Sequence, residues 1–460
     1  WGTMSTATFL SSTSSRYAGL EEGGWGGFDS HVGVALSLPC SVITGERPLR
    51  AIVQYGHEIF DDRSQSTEHW LLKMADDQGL ALVAADWRGL SRFDLPVIAR
   101  ALIAHPHLLR STADRLLQGF VDQVTLSHLA LPLVQKQLKI IADESEESLA
   151  CLDDQRVQDA VGQTCAQLSE LGLCATHFCP ECKYSGLCDK SCELCGPNIT
   201  QATTDTDGQS ASDVPIVFMG RGTGALLGAG FASWVAPFKI FSRFALLSPG
   251  SSLIGPTATH SEGFDILGML FDLCMFEKRS IRFVLSLIST LFEASTHPPT
   301  HASDSTPISV RAPVLIQAAL GDASAPALAA ETLARSLNAR STSPAVRDVF
   351  QVPLWEPTDV LHTVPTPSPT LYDNSSVYNQ GKGGVWLSHG ITVFSEWLYS
   401  SDLAKLPLDN TIPNANDVHQ CLRTDEDAKR QLATFIRGDF DNVTQAAKSP
   451  CHGQCIRETC

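Results

Sequence analysis

The stretch Val217-Phe218-Met219-Gly220-Arg221-Gly222-Thr223-Gly224-Ala225-Leu226-Leu227-Gly228 has the layout of a reactive turn. A buried strand runs into a tight Gly-rich turn and then into a helix of small residues, the arrangement in which Gly-x-Ser-x-Gly presents a strained serine above a sheet. Strand and helix nearly touch at such a turn, which demands small residues two before and two after the presented one. Gly220 and Gly224 meet that demand, but the residue between them is Gly222, which has no side chain and cannot be a nucleophile. Making Thr223 the nucleophile would shift the register by one and put Arg221, which is too large, at a small position. Thr223 is instead expected to offer its backbone N–H to a developing oxyanion and its hydroxyl as a helix cap. A phosphate loop shares the strand, Gly-rich turn and helix. The glycines at 220, 222, 224 and 228 do not give Gly-x-Gly-x-x-Gly, however, and no Gly-x-x-x-x-Gly-Lys follows. No cofactor and no metal are expected at this turn.

Positioning such a turn requires a sheet. Short, nearly continuous apolar runs occur at Ala51–Tyr55, Leu80–Ala85, Val214–Met219, Phe244–Leu247 and Pro313–Ala318, each about the length of a buried parallel strand. Helical patterns alternate with them over Glu68–Gln78, Asp94–Ile103, Leu109–Leu133, Gly224–Val235 and Ala325–Asn338. The alternation predicts an α/β fold with a mostly parallel sheet and helices on both faces. Residues 1–48 read as an N-terminal strand and loop region, and 49–133 with 214–460 as the core. Residues 134–213 read as a Cys-rich insertion and 250–312 as a helical cap inserted over the site. Insertions after the carboxyl ends of strands lie where such sheets bind ligands.

Further motifs make the reading specific. The chain carries Tyr55-Gly56-His57-Glu58, Asp86-Trp87-Arg88-Gly89-Leu90-Ser91, Asp114-Arg115-Leu116-Leu117-Gln118-Gly119, Gly321-Asp322 and Val418-His419-Gln420. In these segments, over roughly residues 50–133 and 213–455, it resembles the α/β-hydrolase superfamily, in particular large secreted hydrolase-like proteins known mostly from bacteria. The resemblance implies that Asp322 stands at the acid position and His419 at the histidine position, in the chain order nucleophile, acid, histidine. It also implies two departures. Gly222 stands where serine is expected. Glu58 follows His57 where the family has glycine, in the turn that contributes an oxyanion-hole N–H, and a carboxylate there opposes developing negative charge. The oxyanion residues implied are therefore His57, Glu58 and Thr223. Loss of the serine removes the covalent route, and His419 is expected to point into empty space. The reading is a catalytically degenerate, esterase-like hydrolase scaffold with a binding or structural role. The alternative is an active carboxylic-ester hydrolase using Asp322, His419 and a displaced hydroxyl such as Thr223 or Ser248.

The cysteines set the expected compartment. The chain has 14 cysteines. Six of them, Cys174, Cys179, Cys182, Cys188, Cys192 and Cys195, form a cluster outside the resemblance. Cys179-x-x-Cys182 and Cys192-x-x-Cys195 have zinc-knuckle spacing, yet six thiols exceed one tetrahedral site. Disulfides are the expectation, in a knob that is structural or binds a partner. The resemblance implies that Cys451 and Cys455 pair. Sequons at Asn198, Asn374 and Asn442 are candidate glycosylation sites and join the cysteines in favouring a secreted, extracellular or lumenal setting. The chain opens at Trp1 without a legible signal peptide. The most apolar region, Phe264–Phe292, is interrupted by charges and predicts two amphipathic helices, with no membrane span. With 43% hydrophobic and 18% charged residues the chain can bury a large core, and its net charge of −17 argues against nucleic acid as a partner. The partner expected is another protein, or a small apolar ligand in the cap pocket.

Overall fold

The computed structural model describes residues 1–6, 30–103, 109–148, 214–235, 240–249, 312–320, 327–343, 345–354, 392–398 and 418–438, with Phe238, Phe283, Val284, Ser286, Thr290, Asp322 and Ala325 as single positions. The Cys174–Cys195 cluster, Cys451, Cys455, the three sequons and nearly all of 250–312 lie outside the described residues.

Among the described residues nine strands form one sheet: β1 (Gly2–Thr6), β2 (Ser30–Ser37), β3 (Ala51–Gly56), β4 (Leu80–Ala85), β5 (Ile216–Arg221), β6 (Arg243–Leu247), β7 (Val314–Leu320), β8 (Arg340–Ser341) and β9 (Thr392–Leu398). Their order is β1-β2-β4-β3-β5-β6-β7-β9-β8. The β1–β2 and β2–β4 pairings at one edge are antiparallel and every other pairing is parallel. Parallel neighbours need crossovers. The described helices are α1 (Cys40–Ile43), α2 (His69–Gln78), α3 (Leu95–Ile103), α4 (Leu109–Ser148), α5 (Thr223–Val235), α6 (Ala327–Ser336), α7 (Val418–Thr424) and α8 (Glu426–Arg437). The chain divides into two compact units, Trp1–Pro39, Leu49–Leu131 and Val214–Cys460 in the first, Cys40–Pro48 and Pro132–Asp213 in the second.

Both faces of the sheet in the first unit are covered, because successive strand residues point to opposite sides. In β5, Phe218 packs with Trp87, Phe120 of α4, Phe231 of α5 and Leu333 of α6. Its neighbours Val217 and Met219 face the other way, toward Leu71 and Met74 of α2 and Leu432 and Phe435 of α8. Trp87, Phe120, Phe218 and Phe231 meet edge-on or tilted at centroid separations of 5.6–6.2 Å, a geometry that favours the ring quadrupoles.

Motifs that stood out in the sequence turn out to hold this platform together. Arg115 on α4 pairs with buried Asp94, which also accepts from Gly89 N and Ser91 N. Asp122 accepts from Thr6, Arg88 and Gln118. Sequence and structure differ at the edges. The expected helix over 109–133 continues to Ser148 through Pro132. Strands β8 and β9 carried no apolar-run signature. Buried Ser395 and Glu396 interrupt β9; the Glu396 carboxylate is neutralised by Arg347 at 2.6 Å, a partner remote in sequence.

The sheet order reverses between β3 and β5. β4 lies on one side of β3, and β6 lies on the far side of β5. Crevices at the carboxyl ends of strands at such a reversal are where open α/β sheets place ligands. Glu58 follows β3 and Gly222 follows β5, so both flank this crevice.

Candidate functional site

Backbone contact fixes the floor of the crevice. A Cβ on Gly220 would lie 2.3 Å from the Gly224 carbonyl oxygen, and one on Gly224 would lie 2.2 Å from Gly56 O and 2.5 Å from His57 O. Strand β3, strand β5 and helix α5 thus meet at bare backbone. Gly222 itself sits at φ +53°, in the left-handed region that glycine tolerates. Its carbonyl accepts from Ala225 N and Leu226 N at 3.1 Å each, so Gly222 holds the cap position of α5. Thr223 is the first helical residue, which corrects the expectation that its hydroxyl caps the helix.

Asp322 and His419 are brought together across 97 residues. Asp322, just beyond β7, accepts Ala325 N on Oδ1 at 2.8 Å and bonds His419 Nδ1 through Oδ2 at 2.6 Å. His419 lies in the first turn of α7 and is buried. Its second nitrogen does not face empty space, as the sequence led one to expect. Nε2 is bonded to Glu58 Oε1 at 2.8 Å. The expectation failed because the Glu58 side chain reaches the space beside Gly222 from a neighbouring strand end. A Cβ on Gly222 would stand 2.7 Å from that Glu58 oxygen.

Glu58 is held from several sides. Its Oε2 lies 3.1 Å from Arg221 Nη2 and 3.3 Å from Gln65 Nε2. Arg221 is buried at the end of β5, between two glycines. Its Nη1 lies 3.4 Å from Glu68 Oε2, which also meets Arg423 Nη1 at 2.7 Å and Trp70 Nε1 at 2.6 Å. Asp322, Glu58 and Glu68 therefore face His419, Arg221 and Arg423, and a protonated His419 makes the set neutral. Burial would push the His419 imidazole down, but the Asp322 and Glu58 carboxylates outweigh it and raise its pKa to about 9. Burial would raise the Glu58 carboxyl, yet Arg221, with His419 and Arg423, holds it well below the ordinary carboxylate range. At neutral pH the pair is an imidazolium between two carboxylates, and an imidazolium cannot take up a proton as a general base must.

The turn after β3 is also tied down by hydrogen bonds. The Glu58 backbone N–H donates to Gln65 Oε1 at 2.9 Å, an oxygen that also accepts from the Tyr55 hydroxyl. His57 Nε2 accepts from Trp87 N at 2.8 Å and Nδ1 lies 2.7 Å from Glu58 O. Burial lowers its pKa, which keeps the ring neutral in the tautomer these bonds require. His57 thus pins the β3 turn to the β4 turn. Ser248, the suggested displaced nucleophile, is buried at φ +44° with its Oγ unbonded. Among the described residues no hydroxyl bonds either nitrogen of His419.

Arg221, Gln65, Glu68 and Arg423 escaped the sequence reading. One signal was present: an arginine between two glycines at a strand end has no reason to be there unless an anion receives it. Among the described residues no helix is long and apolar enough to cross a membrane, and no cluster of three metal-ligating side chains occurs.

The network carries a pH signature. His419 is raised from 6.5 to about 9, so its contribution to stability is complete below pH 6.5 and is lost as the pH rises through about 9. Glu58 is depressed below 4.5, so its contribution is present above pH 4.5 and is lost on acidification. The network's stabilisation is expected to be greatest between these limits. Unfolding in urea across pH 4–10 should show an alkaline decline that His419→Gln abolishes; a decline of equal size in the variant would refute the assignment.

No protein-family model matches the chain, and no curated protein matches it. Similar solved structures include a Pyrococcus horikoshii acylaminoacyl peptidase, at 10% identity over 91% of this chain and 41% of that one, TM-score 0.35. A thermostable carboxyl esterase from Bacillus coagulans is similar at 11% identity, over 95% of this chain and 99% of the esterase, TM-score 0.35. A soluble variant of the monoglyceride lipase from Saccharomyces cerevisiae is similar at 9% identity, over 91% and 94%, TM-score 0.35. The chain spans 41% of the length of the peptidase.

Proposed function

We propose that this chain is an α/β-hydrolase-type scaffold whose reaction centre has become a closed charge network, and that it acts by binding or as a structural element without turning over esters. The observation that supports this most directly is the 2.8 Å bond between His419 Nε2 and Glu58 Oε1. A hydrolytic site needs that nitrogen to take a proton from a nucleophile. Here it donates to a carboxylate and the imidazole is already charged. Gly222 offers no hydroxyl, and the N–H of the β3 turn is engaged by Gln65. These three features fail different requirements of acyl transfer: nucleophile, base and oxyanion stabilisation. The displaced-hydroxyl reading lacks any hydroxyl bonded to His419 among the described residues. The proposal extends to a secreted or lumenal setting, supported by the 14 cysteines and the three sequons.

Hydrolysis of short-chain p-nitrophenyl esters tests the central point. The wild type and His419→Ala are expected to be indistinguishable from each other and from folded protein lacking a site. Wild-type turnover that His419→Ala abolishes would overturn the proposal.

A further inference from the structure

We infer that the crevice above Gly222 is a carboxylate-binding site, built by Arg221, His419 and Gln65 and filled in this chain by its own Glu58. Each oxygen of the carboxylate has its own donors. Oε1 takes His419 Nε2 at 2.8 Å, and Oε2 takes Arg221 Nη2 at 3.1 Å and Gln65 Nε2 at 3.3 Å. Charged donors on two sides of a planar anion are what carboxylate recognition requires. The donors are themselves fixed from behind. Asp322 orients the imidazole, Glu68 holds the other end of the Arg221 guanidinium, and Asp61 Oδ2 accepts from Gln65 Nε2 at 2.9 Å. Other charges of the set, Arg423 on Glu68 included, lie one step further out.

Gly222 is the permissive element. A Cβ there would lie 2.7, 3.1 and 3.2 Å from Oε1, Cγ and Cδ of Glu58, closer than side-chain carbons pack. The three polar contacts of Glu58 oppose its stepping aside, and the left-handed φ of +53° at Gly222 strains any side chain placed there. Glycine at 222 and glutamate at 58 are therefore one feature: the first leaves the space and the second fills it. The inference concerns the same site as the proposed function but does not depend on the absence of turnover. Ester hydrolysis by the wild type would overturn that reading and leave this one to its own test.

Glu58→Gly removes the internal ligand and keeps the donors. In that full-length variant the His419 imidazole, followed by NMR titration, is expected to fall from about 9 toward 6.5, and the melting temperature to drop. Sodium formate should restore both, saturably. An ion of three heavy atoms binds no tighter than about 1 mM at best, so the half-effect should lie in the millimolar range or above. Sodium chloride at equal ionic strength should not restore them. Glu58→Gly/Gly222→Ala should lose the formate response, because the added methyl occupies the ion's place. A response to chloride equal to that to formate, or a formate response undiminished by Gly222→Ala, would overturn the inference. Should Glu58→Gly fail to fold, Glu58→Ala enters the same formate titration: a saturable gain in melting temperature with formate and not with chloride supports the inference, and no gain overturns it.

Discussion

Replacing Arg221 with methionine is expected to destabilise the fold by about 3 kcal/mol, among the largest effects of any single charge removal in the described residues. The guanidinium is 5% exposed and stands between Glu58 and Glu68. Methionine is of similar length and apolar, so packing is largely kept and the loss reports the charges. Removing one member of a buried ionic set costs more than the net worth of the pair, because the partners remain desolvated without their counter-charge. The two carboxylates are 23% and 28% exposed and keep His419 and Arg423, which holds the expected loss to the lower end of the usual range. The paired change Arg221→Met/Glu58→Gln removes both signs and should recover part of the loss. A double-mutant cycle in urea should therefore give a favourable coupling of at least about 1 kcal/mol. Strictly additive losses would mean that the 3.1 Å contact contributes nothing.

The second large effect is steric. Gly224→Ala would set a methyl 2.2 Å from Gly56 O and 2.5 Å from His57 O. Both obstacles are backbone, Gly56 at the end of a central strand paired on either side and His57 in the turn that follows it, so no side chain can rotate to make room. Helix α5 must move away from β3, which disturbs the aromatic packing of Phe231 and the Gly222 turn together. A loss of about 3 kcal/mol is expected, at the upper end for overpacking, although alanine is the better helix former. Gly2→Ala provides the control: its nearest neighbour would be Val34 Cγ2 at 3.8 Å, and the change should stay within about 0.5 kcal/mol. Equal effects at the two positions would refute the close-approach argument. Because Gly224 carries no chemistry, its variant should also shift the His419 titration only as far as it displaces the turn.

Gly224 marks where the sequence was legible and Arg221 where it was not. Gly220 and Gly224 could be assigned to a strand–helix contact from spacing alone, because a four-residue interval fixes which residues face the strand whatever else the chain does. The central strands were legible for a similar reason: burial on both faces leaves near-continuous apolar runs at β3, β4 and β5. β9 was not legible, since its buried Glu396 is tolerable only beside Arg347. The meeting of Asp322 with His419 rested on chain order and a resemblance, and the geometry had to supply the contact.

The sequence by itself determined that position 222 carries no side-chain nucleophile, since glycine has no side chain in any fold. It also placed an unexpected carboxylate at position 58. Only the tertiary structure decided what those two facts mean together. Residues 58 and 222 lie 164 positions apart, and no local pattern relates them; the pairing of β3 with β5 sets their strand ends side by side. Once there, the ionised Glu58 carboxylate stands between the His419 imidazole and the Arg221 guanidinium and meets both. The reason is electrostatic and short-ranged. Ionised groups taken out of water require opposite charges within a few ångströms, and distances of that kind are a property of the fold and not of the order of residues.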